Sequence, residues 1–384
     1  MGVILPKPIL SKVVDRAGSE KVGAGCCAIN GYRNTMEDAH VLQTGPDRMI
    51  FGIFDGHSND KCSNYISEHL PRKINMAPQP LTDAAIEGLC ISCDEQFLED
   101  VGDGGTTATF VIVDPGEAPK TFNLTICNIG DSRTLVARDG AILFATQDHK
   151  PQNPQERDRI ERCGGTVRMN RVDGDLAVSR AFGDFVFKRW RDDLRNQKVI
   201  AVPDITRMTV QEGDIMVIAC DGVFEGNFSN DEVISFVYSQ LPAPQGDLAV
   251  VAGRVCDQAV RRGSKDNVSC LLVQFKDGTA MVKQHTEHSF VPGPPYPKTH
   301  ESSRLAYSRM AMMAQVSLAD ALQRRYELFL AFTKNQLSSL PPIDQLAYEM
   351  SDDVDVETER VFFGNGPTPG HEKAFFAAMA EGSR

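Results

Sequence analysis

Five short apolar runs, each rich in β-branched and aromatic residues, constrain this chain more than any other feature. They are MIFGIF (49–54), TATFVIV (107–113), FNLTIC (122–127), IMVIAC (215–220) and VSCLLVQF (268–275). Runs of this length read as buried strands. Two of them meet at 107–127 around the turn-prone DPGEAP, and a further pair straddles Arg138-Asp139-Gly140. Hairpins of this kind favour antiparallel sheets over a doubly wound parallel one. Between the runs, helical periodicity predicts helices at roughly 59–71, 82–99, 154–163, 230–239 (capped by Ser229 or Asn230) and 247–261. The expected class is α+β, with helices packed on the outer faces of the sheets.

The chemistry sits at the strand ends. Arg33-Asn34-Thr35-Met36-Glu37-Asp38 is one acidic stretch; Asp55-Gly56-His57 follows the first run, and Gly130-Asp131-Ser132-Arg133 follows the third. Asp221-Gly222 follows IMVIAC, and Asp266-Asn267 precedes VSCLLVQF. A buried strand pins the residue at its tip, and a following glycine lets a carboxylate and its neighbouring carbonyl turn into a shared cleft. One Asp-Gly at a strand end is usually a turn. Several of them would bring carboxylates together in a water-poor cleft, where they repel unless cations offset them. A binuclear metal site is the economical explanation. The donors are almost all oxygen, which suits Mg²⁺ or Mn²⁺ and disfavours Zn²⁺, and two such ions suit phosphate ester hydrolysis.

The ordered series RNTMED (33–38), FDGH (54–57), GGTTA (104–108), GDSR (130–133), DHKP (148–151), GDLAVSRAFGD (174–184), IACDGVFE (218–225) and GSKDN (263–267) resembles the metal-dependent protein phosphatase 2C family of serine/threonine phosphatases over roughly residues 20–276. The resemblance implies a central β-sandwich of two antiparallel sheets flanked by helices on both sides. It also implies roles. Asp55 is similar to the carboxylate bridging two Mn²⁺ or Mg²⁺ ions, with Glu37 and the Gly56 carbonyl on one ion and Asp221 and Asp266 on the other. Asp131 matches a ligand of a weaker third ion, shared with Asp221. Asp38 is similar to a carboxylate that orients metal-bound water, Arg33 to the arginine that binds substrate phosphate, and His57 to the general acid for the leaving oxygen. Asp148-His149-Lys150-Pro151 and Asp184 are expected to shape loops and hydrogen-bond networks, and Thr106-Thr107 to pack in a strand. The chain departs from the family where Ser58-Asn59-Asp60 replaces a glycine pair, and where Glu225 stands in place of the usual Asp, which puts its reach toward the metals in question.

The implied activity is hydrolysis of phosphoserine and phosphothreonine monoesters in phosphoprotein substrates, by direct attack of a water or hydroxide bridging the two ions. The alternative is an inactive or weakly active metal-binding interaction module, against which the full set of expected ligands counts. A third reading keeps the same chemistry on small phosphoesters. No C-x₅-R with a glycine-rich cradle occurs, so a phosphocysteine intermediate is not expected.

The 384 residues divide into a catalytic body (1–276), a linker (277–300) holding Pro292, Pro294, Pro295 and Pro297, and a helical C-terminal extension (301–384). In the extension, Leu318, Leu322, Phe329 and Phe332 fall on one helical face, and a second apolar patch lies near 372–380. The apolar fraction of 41% and charged fraction of 24% exclude wholesale disorder. A net charge of −12 without a Lys/Arg block makes nucleic acid an unexpected partner. No stretch approaches the roughly 18 apolar residues of a membrane span, and the N-terminus lacks a signal-peptide pattern. The protein is therefore expected in the cytoplasm, with nuclear presence compatible. Weak membrane association is expected only if Gly2 is acylated, against which Pro6 stands where the myristoylation pattern wants Ser or Thr. Most of the ten cysteines, Cys127, Cys220 and Cys270 among them, sit in apolar runs and read as core thiols. Cys90 and Cys93 have CxxC spacing, but no second pair follows, and they fall on a helical period.

Overall fold

The five apolar runs become strands of two antiparallel sheets in the computed structural model, which describes residues 4–45, 48–188, 193–241, 246–276, 286–295, 301–350 and 356–364. In chain order the strands are β1 (Ile9–Gly18), β2 (Val22–Gly31), β3 (Ala39–Gln43), β4 (Met49–Phe54), β5 (Gly56–His57), β6 (Gly105–Thr106), β7 (Ala108–Pro115), β8 (Thr121–Ile129), β9 (Arg133–Arg138) and β10 (Ala141–Ala145). They continue with β11 (Val167–Arg168), β12 (Arg171–Val172), β13 (Phe182–Gly183), β14 (Asp204–Gln211), β15 (Ile215–Ala219), β16 (Val268–Phe275) and β17 (Glu287–Val291). One sheet has the order β10-β9-β15-β16-β2-β1-β17, the other β14-β8-β7-β4-β3.

The sandwich core takes alternate residues from both sheets. Val22, Ala24, Cys26, Met216, Ile218, Leu271 and Val273 of the larger sheet share one buried cluster with Phe51, Ile53, Val111, Leu124 and Ile126 of the smaller. The outer face of the smaller sheet is covered by α1 (Lys61–Met76) and α2 (Asp83–Asp100), through Ile66, Leu70, Ile86, Cys90 and Phe97. The larger sheet is covered by α4 (Asn230–Gln240) and α5 (Leu248–Arg261). A short helix, α3 (Pro154–Arg162), lies in the excursion between β10 and β14. Both layers of helices and the antiparallel pairing agree with the expected class.

Two differences have physical causes. α1 runs past Pro71 to Met76, because Leu70 and Ile74 are both buried in the outer cluster and outweigh the one hydrogen bond that proline removes. β1 and β2 carry no conspicuous apolar run: ILSKVVDRAG contains three charges and VGAGCCAING is built of small residues. Lys12 is nonetheless buried inside β1, because its ammonium pairs with Asp257 of α5 at 2.9 Å.

The C-terminal extension forms α6 (Glu301–Met313), α7 (Leu318–Thr333), α8 (Pro342–Glu349) and α9 (Val356–Phe363). Leu328, Phe329, Leu346 and Phe363 of these helices belong to the same buried cluster as α5 and the larger sheet. Within the proline-bearing segment, β17 pairs with β1 at the sheet edge, with Phe290 opposite Val13. Residues 277–285 and 296–300 of that segment, Gly2 and the apolar patch near 372–380 lie outside the described residues. Among the described residues, no helix is long and apolar enough to cross a membrane.

Candidate metal centre

Asp55 stands at the tip of β4, where its carbonyl accepts a hydrogen bond from the Thr107 amide at 2.9 Å. Gly56 follows because nothing larger fits: a Cβ there would lie 2.2 Å from the Glu37 carbonyl oxygen. That close approach brings the 33–38 loop against the strand tip. From the other side the loop is held by Asn267, whose Oδ1 accepts from the Glu37 amide at 3.0 Å and whose Nδ2 donates to the Asn30 and Thr35 carbonyls. Thr35 Oγ1 donates to Glu37 Oε1 at 2.8 Å.

The strand tips converge as the strand-end pattern expects. Ligand atoms of Asp38, Asp55 and Cys220 lie within 4.8 Å of one another, and so do those of Asp221, Glu225 and Asp266. Enclosure pushes the Asp55 carboxyl well above the usual carboxylate range, and the charges of Asp38, Asp221, Asp266 and Asp131 push it further. Asp221 is raised in the same way, by enclosure and then by Asp131 and Asp266, with Lys150 opposing. Asp38 is buried and pushed up to about 7, although Ser269 Oγ donates to its Oδ2 at 2.6 Å. So many carboxylates at one cleft, several of them held where they resist ionising, fit a site for hard divalent cations. The donor set is oxygen apart from the Cys220 thiol, which accepts from the Ser269 amide at 3.1 Å and lies at 3.5 Å from the Asn267 carbonyl.

Two cations of the chain reach into this cluster. Arg33, at the solvent edge with its side chain 42% exposed, pairs with Asp266. Lys150 pairs with the buried Asp131. His57 lies on β5, whose partner β6 also pairs with β13, and this three-stranded ladder places His57 Nε2 2.7 Å from Asp184 Oδ2. Burial disfavours the imidazolium, but Asp184 outweighs it and raises the His57 pKa.

Residues 22–268 match the family model of protein phosphatase 2C. The chain belongs to that family. Protein phosphatase 1B of Rattus norvegicus is 33% identical over 303 residues, which is 72% of this chain and 76% of that protein. Protein phosphatase 1A of Homo sapiens is 33% identical over 300 residues, with the same coverage. Among solved structures, a phosphatase from a pathogenic strain of Toxoplasma gondii superposes with a TM-score of 0.67 at 29% identity, over 73% of this chain and 99% of that one. A Caenorhabditis elegans sex-determining protein shares the fold at 23% identity and a TM-score of 0.54, over 66% of this chain and 64% of that one.

Within this phosphatase 2C fold, the structure brings Asp38 close to Asp55 and Asp221 close to Asp266, pairs Arg33 with Asp266, packs Gly56 on Glu37, and sets Glu37, His57 and Asp131 within electrostatic reach of the cluster. It also adds residues to that set. Glu225 comes within reach of Asp221 and Asp266 despite its extra methylene. Lys150 and Asp184, expected in loop networks, touch Asp131 and His57 directly. Their sequence signal is position, beside a strand end or a glycine, and it becomes distinctive only once their partners are known. Asp148 and His149 do serve the loops, pairing with Arg133 at 2.8 Å and Asp204 at 3.0 Å. Thr107 Oγ1 bonds Ser132 Oγ at 2.9 Å. At the departure from the family's glycine pair, Ser58 takes a φ of +72°, the left-handed region that glycine favours.

Proposed function

We propose that this chain hydrolyses phosphoserine and phosphothreonine monoesters in proteins by direct attack of water, with two Mn²⁺ or Mg²⁺ ions and a weaker third in the carboxylate cluster. The observation that carries this reading is the convergence of Asp55 with Asp38, Asp131, Asp221 and Asp266 beside an arginine and a histidine. Membership of the phosphatase 2C family and relatives named as protein phosphatases support it. Residues 1–276 would form the catalytic body.

Asp55 would serve both ions, Glu37 and the Gly56 carbonyl one of them, Asp221 and Asp266 the other, and Asp131 with Asp221 the third. Bound there, divalent cations neutralise phosphoryl charge and acidify water. The chain's own residues do the rest. Arg33 presents a planar fork of donors at the cleft edge, suited to the phosphate oxygens. Asp38, held by Ser269, orients the attacking water by accepting its hydrogen. His57 gives a proton to the leaving serine or threonine oxygen, and Asp184, hydrogen-bonded to Nε2, supports the imidazolium from which that proton comes.

The test is to strip the full chain with chelator and assay a phosphopeptide with and without Mn²⁺. Activity is expected to return with the metal, and Asp55→Asn to lose about a hundred-fold or more, the scale of the several kcal/mol that such ions supply. Undiminished activity without metal, or a fully active Asp55→Asn, would sink the reading.

A further inference from the structure

We propose that α6 of the C-terminal extension positions the loop that carries Arg33, Glu37 and Asp38, so that the extension acts on metal and phosphate binding without touching either. The inference rests on the function proposed above for those three residues. Met36 lies in the middle of the loop, yet it is 5% exposed and turned into a buried cluster with Leu5, Ile9, Val13 and Ala28. The same cluster contains Ala306 and Met310 of α6. A second link runs through the backbone. The amide of Leu5, itself a member of that cluster, donates to the carbonyl of Tyr32 at 2.7 Å, one residue before Arg33. The loop is thus held on the site side by Asn267 and backed by apolar packing that includes α6.

The physical argument is one of packing. Interiors are close-packed, so a void in a cluster is filled by movement of its least constrained member or remains as a loss of contact. β1 and β2 are pinned by their ladders. Met36 sits in a segment between β2 and β3 that has no ladder of its own, a freedom it shares in this cluster with Leu5, whose amide is tied to Tyr32. A shift of Met36 moves the adjacent Glu37 and, three residues before it, Arg33, whose value to catalysis depends on position.

The test compares two truncations in the full chain. Met310→Ala removes packing from this cluster. Leu322→Ala removes packing from a neighbouring cluster of the extension, built with Tyr307, Ala311, Leu318 and Ala321, which contains no residue of the loop. Hydrogen exchange is followed at the amides of residues 31–38, Mn²⁺ affinity is measured by calorimetry, and KM and kcat are measured on a phosphopeptide. Met310→Ala is expected to speed exchange in the loop and to weaken Mn²⁺ binding by about five-fold, the size of couplings carried by packed side chains. The phosphopeptide KM rises with it. Leu322→Ala leaves all three unchanged at a comparable loss of melting temperature, and the volume-conserving Met310→Leu restores wild-type values. Should Met310→Ala not fold, Met310→Val makes the same comparison.

Equal responses of the loop to the Met310 and Leu322 truncations, or none to either, would overturn the proposal. Because exchange needs neither metal nor turnover, a wild-type chain that bound Mn²⁺ but left phosphopeptides intact would remove the phosphatase reading and leave this one standing.

Discussion

A Cβ on Gly105 would lie 2.4 Å from both His57 Nε2 and Asp184 Oδ2. Both contacts are side-chain ends, which can swing away from a methyl group but cannot do so without separating. Gly105→Ala is therefore expected to part the pair and lower kcat by about a hundred-fold, the smaller end of what a positioned acid contributes. Mn²⁺ affinity measured by calorimetry should not change. A second residue-scale prediction lies away from the cleft. Burial would push the Glu156 carboxyl up, but hydrogen bonds and charge from Arg180 and Arg159, each 2.8 Å away, hold it down at about 2. With a folded pKa below its ordinary value of 4.5, the group's contribution is complete above about pH 4.5 and drains away as pH falls toward 2. Glu156→Gln should cost about 3–5 kcal/mol at neutral pH by leaving the buried Arg159 and the half-buried Arg180 short of a partner. It should also flatten acid unfolding across that window.

At the scale of elements, local chemistry explains most boundaries. α4 begins at Ser229 because a capping box closes there: the Ser229 hydroxyl accepts from the Glu232 amide, and Glu232 accepts from the Ser229 amide at 2.9 Å. Ser229→Ala is expected to lower stability by about 1 kcal/mol, read from denaturant melts, with activity intact. Helix ends of this kind are written in neighbouring residues and were legible. The end of α1 was not, because Pro71 is a local stop signal overruled by the burial of Ile74 in a cluster shared with another layer, the smaller sheet. β1 escaped for the same reason, since a lysine in a buried strand makes sense only with Asp257 beside it, and β2 because its small residues show no apolar run.

For the whole molecule, a buried ion pair knits the helices of the extension to one another and to the proline-bearing segment. Arg325 is fully buried, its guanidinium bonded to Glu359 at 2.6 and 2.9 Å, to the carbonyls of Pro292 and Ala347, and stacked 4.0 Å from the Tyr348 ring. One side chain thus joins α7, α8, α9 and the proline-bearing segment. Arg325→Met should cost about 3–5 kcal/mol by stranding the Glu359 carboxylate, and adding Glu359→Leu should recover much of that. Thermal melts of the two variants check it. No difference between the single and double variants would mean that the stranded carboxylate is not the cause of the loss.

The apolar runs marked buried strands, the family motifs implied the sandwich, and the acidic strand tips named the candidate residues of its metal centre, all of them local patterns. Sequence order alone also marked the extension as helical, because an apolar stripe at helical spacing is legible without a partner. What only the tertiary structure decided is who meets whom: Asp184 with His57, Lys150 with Asp131, Glu225 with Asp221 and Asp266, and α6 behind the 33–38 loop. These pairings join residues up to hundreds of positions apart. Their energies come from packing and from charges brought together in a low-dielectric cleft, quantities that exist only once the chain has closed on itself.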